Sequence, residues 1–127
     1  MKIGKLPEPV LIRSVLKQVK HRRPEVLVGP SVGQDCAALQ VGPEEVLVMS
    51  TDPITGTVKD LGSHCIHITA NDLAASGAEP LGVMLTILLP DTMEEPQLRR
   101  LMQEAEKTCE ELNIEVLGGH TEITNVV

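Results

Sequence analysis

Val83-Met84-Leu85-Thr86-Ile87-Leu88-Leu89 is a nearly unbroken apolar run within residues 81–89. Its length and composition predict a strand covered on both faces. Downstream, Thr92 and Glu95 stand at capping-box spacing, while Pro96 suits a first helical turn. Leu98, Leu101, Met102, Ala105, Cys109 and Leu112 then recur along a helical pattern, and Asn113 suits its end. Ile114 to Leu117 reads as a second strand that runs into Gly118-Gly119. Strand, helix and strand in this order predict a βαβ crossover, parallel and right-handed. Ligands of such sheets gather beyond the carboxyl ends of strands.

Upstream, Leu11, Ile12, Val15, Leu16 and Val19 mark one face of a helix that follows Pro7 and Pro9 and ends by residues 20–25. A Gly/Pro loop covers 28–33. Short strands are predicted at 36–41 and 45–51, turning at Gly42-Pro43. A Gly/Thr-rich loop over 53–62 leads to a helix from about Ser63 to Ser76, closed by Gly77. The expectation is one α/β (α+β) domain over residues 1–127, with a mixed four-stranded sheet. Three helices are too few to cover both faces of an apolar sheet, so the uncovered face is expected to meet a partner. The chain stops at Val126-Val127, just after a motif, so it is expected to be a fragment or one domain of a longer protein.

The chain contains no Phe, Tyr or Trp. Its core must come from aliphatic residues and Met, with Cys36, Cys65 and Cys109 as small apolar fillers. These cysteines are widely spaced and form no CxxC pair, the pattern of reduced thiols in a cytoplasmic protein. No signal-peptide pattern and no membrane-length apolar run is visible, so the protein is expected to be cytoplasmic and without a membrane partner. A net charge of −7 and the lack of stacking aromatics argue against a nucleic-acid partner. An acidic chain can bind an anionic nucleotide where cations neutralise the site.

Four segments fit such a site. They are Gly33-Gln34-Asp35, Ser50-Thr51-Asp52-Pro53, the stretch from Asn71-Asp72 to Glu79-Pro80, and Gly118-Gly119-His120-Thr121-Glu122. Spaced carboxylates suit Mg²⁺, which takes few protein oxygens and fills its octahedron with water and phosphate. Glycines let backbone amides approach phosphate oxygens. Each aspartate alone also reads as a turn former or a solvated side chain; it is their coincidence that points to metal and nucleotide. His64 and His67, with Asp60 and Asn71, fall at helical spacing, as a transition-metal site or as an exposed helix surface. His120 beside Glu122 is a candidate acid/base pair, or a group that only hydrogen-bonds a ligand or orients a carboxylate. No Walker, GxSxG or HExxH motif is present.

At these residues the chain resembles the N-terminal domain shared by aminoimidazole ribonucleotide (AIR) synthetase, thiamine-monophosphate kinase, selenophosphate synthetase and the hydrogenase-maturation dehydratase. It is most similar to the AIR synthase-related branch. The resemblance runs from about Gly29 to Glu122 and is most specific over Asn71 to Pro80. It implies a domain that binds ATP and Mg²⁺, helices on one face of its sheet, and a homodimer in which the other faces close a β-barrel. It also implies a C-terminal domain, absent here, that completes the active site. Asp35 matches the second Asp of the family's Gly-Asp-Asp loop, and Asp52 and Asp72 match its later metal and phosphate-site carboxylates. Asn71 matches the polar partner beside the latter, and Gly118 and Gly119 match the diglycine. The resemblance thus implies Asp35, Asp52 and Asp72 as metal ligands, and Gly33, Asn71, Gly118, Gly119, His120 and Thr121 around the nucleotide. Gln34 replaces the loop's first Asp, and His120 stands where a carboxylate is expected. The first makes one candidate metal ligand neutral, and the second lowers the number of Mg²⁺ ions expected. The implied activity is ATP-dependent phosphoryl transfer or oxygen activation on a small substrate. Two rivals are an assembly or maturation factor and a non-catalytic dimerisation domain.

Overall fold

The structure, a computed structural model, describes residues 5–55 and 59–125. The chain divides into two compact units, Met1–Thr51 and Asp52–Val127.

The first unit opens with helix α1 (Glu8–Ser14), started by Pro7 and Pro9. The predicted face was expected to carry a helix through Val19. Instead the helix breaks at Val15 (φ −118°, ψ −67°) and a 3₁₀ turn, Leu16–Gln18, replaces its end. No residue of either piece is buried, so little packing offsets the cost of ordering so short a helix. Three strands follow: β1 (Val26–Val28), β2 (Cys36–Gln40) and β3 (Val46–Ser50). They form an antiparallel sheet in the order β1-β2-β3. The β2–β3 turn is closed by Val41 N–H donating to the Glu45 carbonyl at 3.0 Å.

In the second unit, α2 (Leu61–Ala75) leads to β4 (Gly82–Leu89), α3 (Glu95–Leu112) and β5 (Glu115–Ile123). Strands β4 and β5 pair in parallel around α3, as the crossover pattern predicts. Part of the expected Gly/Thr-rich loop, residues 56–58, lies outside the described residues. The α3 capping box uses Glu94 and Gln97, not Thr92 and Glu95; Glu94 N–H donates to Gln97 Oε1 at 2.8 Å. Pro96 sits in the first turn as expected. Both helices end in left-handed residues, Gly77 (φ +80°) and Asn113 (φ +55°). In each, two amides turn back onto the last turn: Gly77 N–H to Ala74 O and Ala78 N–H to Leu73 O, both at 3.0 Å, and Asn113 N–H to Glu110 O at 3.2 Å and Ile114 N–H to Cys109 O at 3.0 Å.

The described residues do not form one mixed four-stranded sheet. They form a three-stranded antiparallel sheet and a separate two-stranded parallel one. The core of the second unit is Ile66, Val83, Ala105, Cys109 and Ile114, with Cys65, Leu85 and Val116 packed against it. Burial alternates along β4: Val83 and Leu89 are buried, Leu85 and Ile87 half-buried, while Met84, Thr86 and Leu88 are exposed. The apolar run is therefore covered on one face only. Its other face carries Met84 at 76% exposure, beside Leu117 at 66% on β5. Among the described residues no helix is long and apolar enough to cross a membrane.

Candidate functional site

Strand β5 departs most from the sequence-based expectation. Residues 118–122 were expected to follow the strand, at its carboxyl end; they lie inside it. Pairing runs Val83 with Val116, then Met84 with Gly118, so Leu117 is a bulge residue and the register slips by one. Gly118 (φ +147°) and Gly119 (φ +149°) absorb that bulge in backbone conformations that side chains disfavour. A Cβ on Gly119 would collide with the Leu85 carbonyl oxygen, whereas one on Gly118 would meet nothing within 4 Å. The diglycine therefore has a local structural cause, with Gly119 needed for close approach and Gly118 for φ.

After the bulge, His120 pairs with Thr86, Thr121 with Ile87 and Glu122 with Leu88. This register puts His120 and Glu122 on the strand face shared with exposed Met84, and Gly119 and Thr121 on the face toward α3. His120 Nε2 lies 3.3 Å from Glu122 Oε2, with both side chains more than half exposed. The pair thus forms the contact that sequence spacing allowed, without burial to strengthen it.

A cleft of about 320 Å³ opens between the sheet and the first half of α3. Leu85, Ile87, Leu98, Met102 and Val116 make its apolar walls, and Gly118, Gly119, His120 and Thr121 complete it. Such a cleft can hold a flat or apolar group beside a glycine-lined backbone. Asn71 and Asp72 do not line it. They lie near the end of α2, Asn71 exposed and Asp72 half-buried.

In the first unit, Gly33 (φ +72°) occupies the third position of a turn closed by Gln34 N–H to Ser31 O at 3.4 Å. The Gln34 side chain folds onto its own loop, with Nε2 donating to the Cys36 carbonyl at 2.8 Å. Asp35 is exposed, and its carbonyl accepts from Ser50 Oγ at 3.0 Å, which ties the loop to the end of β3. Asp52 lies two residues past the end of β3, a strand of the antiparallel sheet. Asp35 therefore belongs to the first unit, and Asp52, Asp72 and the diglycine to the second.

Among the described residues no group of three or more His, Cys, Asp or Glu side chains could hold a metal ion. The possible transition-metal cluster of Asp60, His64, His67 and Asn71 is thus not assembled. His64 Nδ1 instead contacts the Asp60 carbonyl at 2.8 Å, within the first turn of α2. Asp60 itself holds a left-handed conformation (φ +56°) at the start of that helix, a feature its sequence context did not signal.

Residues 33–126 match the family model of the AIR synthase related protein, N-terminal domain. The chain belongs to this family. Among similar proteins, one of Methanocaldococcus jannaschii, named for hydrogenase expression and formation, is 23% identical and covers 98% of this chain and 38% of its own length. A selenide, water dikinase of Carboxydothermus hydrogenoformans is 30% identical, over 89% of this chain and 34% of its own length. A thiamine-monophosphate kinase of Salmonella typhimurium is 28% identical, over 87% and 36%. The chain thus spans little more than a third of the length of these family members. A thiamine monophosphate kinase from Aquifex aeolicus, solved with AMPPCP and TMP, superposes with a TM-score of 0.70 at 18% identity, over 98% of this chain and 41% of the other. That likeness shows the mixed α/β fold.

Proposed function

We propose that this chain is the ATP–Mg²⁺-binding half of a larger AIR synthetase-like enzyme that transfers a phosphoryl group or activates an oxygen on a small substrate. The observation that carries the reading is the reach of the family match. Residues 33–126 contain every candidate ligand position, from Gly33 to Thr121. Kinase names among the relatives, and a nucleotide analogue in a solved one, support the nucleotide.

In this reading Asp35, Asp52 and Asp72 each offer a carboxylate to Mg²⁺ carried by the nucleotide phosphates, since among the described residues no group of three such side chains could hold a metal by itself, and Asn71 positions Asp72. Gly33, Gly118, Gly119 and Thr121 present backbone and hydroxyl groups to phosphate. His120 offsets phosphate charge where a carboxylate would have needed a further cation. Mg²⁺, when bound, draws charge off the phosphates; the chain's own groups orient them. The substrate supplies the nucleophile, and a C-terminal domain completes the pocket. Two copies associate through the exposed faces of their sheets, as the uncovered Met84, Leu88 and Leu117 suggest. The experiment is an NMR titration of the chain joined to its C-terminal domain with Mg–AMPPCP. Shifts at the Gly118, Gly119 and Thr121 amides support the reading; saturable binding elsewhere, with those amides unmoved, rejects it.

A second reading is a maturation factor acting within a protein assembly. It is favoured by the relative named for hydrogenase formation. ATP turnover on a small molecule without a protein partner would argue against it.

A further inference from the structure

Helices α2 and α3 touch closely along one seam. Gly62 lies so near α3 that an added Cβ would collide with the Leu101 carbonyl and sit 2.9 Å from Ala105 N. One residue on, Thr108 Oγ1 bonds Ser63 Oγ across the seam at 3.0 Å. Cys65 lies one helical turn past Gly62, and Cys109 one turn past Ala105. On that geometry the two cysteines share the flank of the seam opposite the Ser63–Thr108 bond. Cys65 packs against the core cluster that contains Cys109. Cys109 is buried, whereas Cys65 is only partly so. Cys36 belongs to the other unit.

We propose that Cys65 and Cys109 form an oxidisable pair, a reversible staple between α2 and α3. A hydroperoxide attacks first at the accessible partner. The Cys65 thiolate takes the terminal oxygen and the O–O bond breaks, leaving a sulfenic acid and releasing water or an alcohol. The Cys109 sulfur then displaces hydroxide from the Cys65 sulfur, the Cys109 thiol proton joins that hydroxide as water, and a disulfide remains. Two thiols are oxidised and one peroxide bond is reduced. A dithiol reductant reverses it by exchange. Burial pushes both thiols up, and the Glu106 carboxylate and then a Cys65 thiolate push Cys109 up further, so the reaction is slow at neutral pH and quickens in alkali. The staple would join the helix that carries Asn71 and Asp72 to the βαβ crossover.

The test is hydrogen peroxide treatment of the folded chain, followed by thiol titration, intact mass and non-reducing peptide mapping. Titratable thiols should fall from three to one, with a loss of about 2 Da and a linked Cys65–Cys109 peptide. Cys36→Ser should keep the link, and Cys65→Ser and Cys109→Ser should each abolish it. A link through Cys36, a gain of oxygen on Cys65 without a link, or three thiols persisting while a urea-unfolded control oxidises would each overturn the proposal.

Discussion

Gly118 and Gly119 are neighbours with different tasks, and substitution separates them. Gly119→Ala forces a Cβ into the Leu85 carbonyl as well as straining φ. It should cost about 3 kcal/mol. Gly118→Ala meets no atom and pays only for its φ, about 1 kcal/mol. Urea unfolding followed by far-UV circular dichroism measures both; equal costs would contradict the bulge as their cause. The cysteines give a second prediction at this scale. Burial raises the Cys65 and Cys109 thiols. The folded chain therefore keeps protons that the unfolded chain releases. Stability is full below the ordinary thiol range, near ~8.5, and declines as pH climbs through the raised values. With no tyrosine to titrate nearby, Cys109→Ala should flatten the fall of the urea midpoint between about pH 8 and 10. An unchanged slope would contradict it. Left-handed residues divide by how clearly they announce themselves. Gly77 and Asn113 follow long helical patterns and were legible; Asp60 follows residues with no periodicity and was not.

At the scale of elements, the βαβ crossover was legible because β4 and α3 each repeat their pattern over many residues. The three-residue β1 was not, since Val26-Leu27-Val28 is too short to show alternation beside Gly29-Pro30. Strand β5 extends past the expected Leu117 although Gly118-Gly119 punctuates a strand by propensity. Parallel pairing with β4 carries the strand through them, the partner's hydrogen bonds outweighing intrinsic preference. Burial on both faces of β4 was also overread, because an apolar run does not reveal which face lacks a cover. The α2–α3 seam depends on Gly62, which the sequence did not mark. Gly62→Ala should push the helices apart and cost about 2–3 kcal/mol despite the better helix propensity of Ala. A rise in the urea midpoint would show that the seam is looser than described.

At the scale of the whole molecule, the candidate site was legible as residue types and not as geometry. The aspartates and glycines stand out by spacing, but they are divided between two units and between loop, helix and strand. No periodicity encodes where such positions lie in space. The exposed sheet face makes a prediction of its own. Met84→Lys with Leu117→Lys should convert a dimer to a monomer in sedimentation equilibrium at tens of micromolar, a range set by ordinary affinity arithmetic. A native chain that is already monomeric there contradicts sheet-mediated association. The central claim is that carboxylates of this chain bind nucleotide through Mg²⁺. Calorimetry of ATP binding by the chain joined to the C-terminal domain proposed for it, with and without Mg²⁺ and in Asp72→Asn, tests it most directly. The account predicts that removing Mg²⁺ weakens ATP by about tenfold or more, and that Asp72→Asn loses most of the Mg²⁺ dependence. Equal ATP affinity with and without Mg²⁺ in the native protein would contradict it.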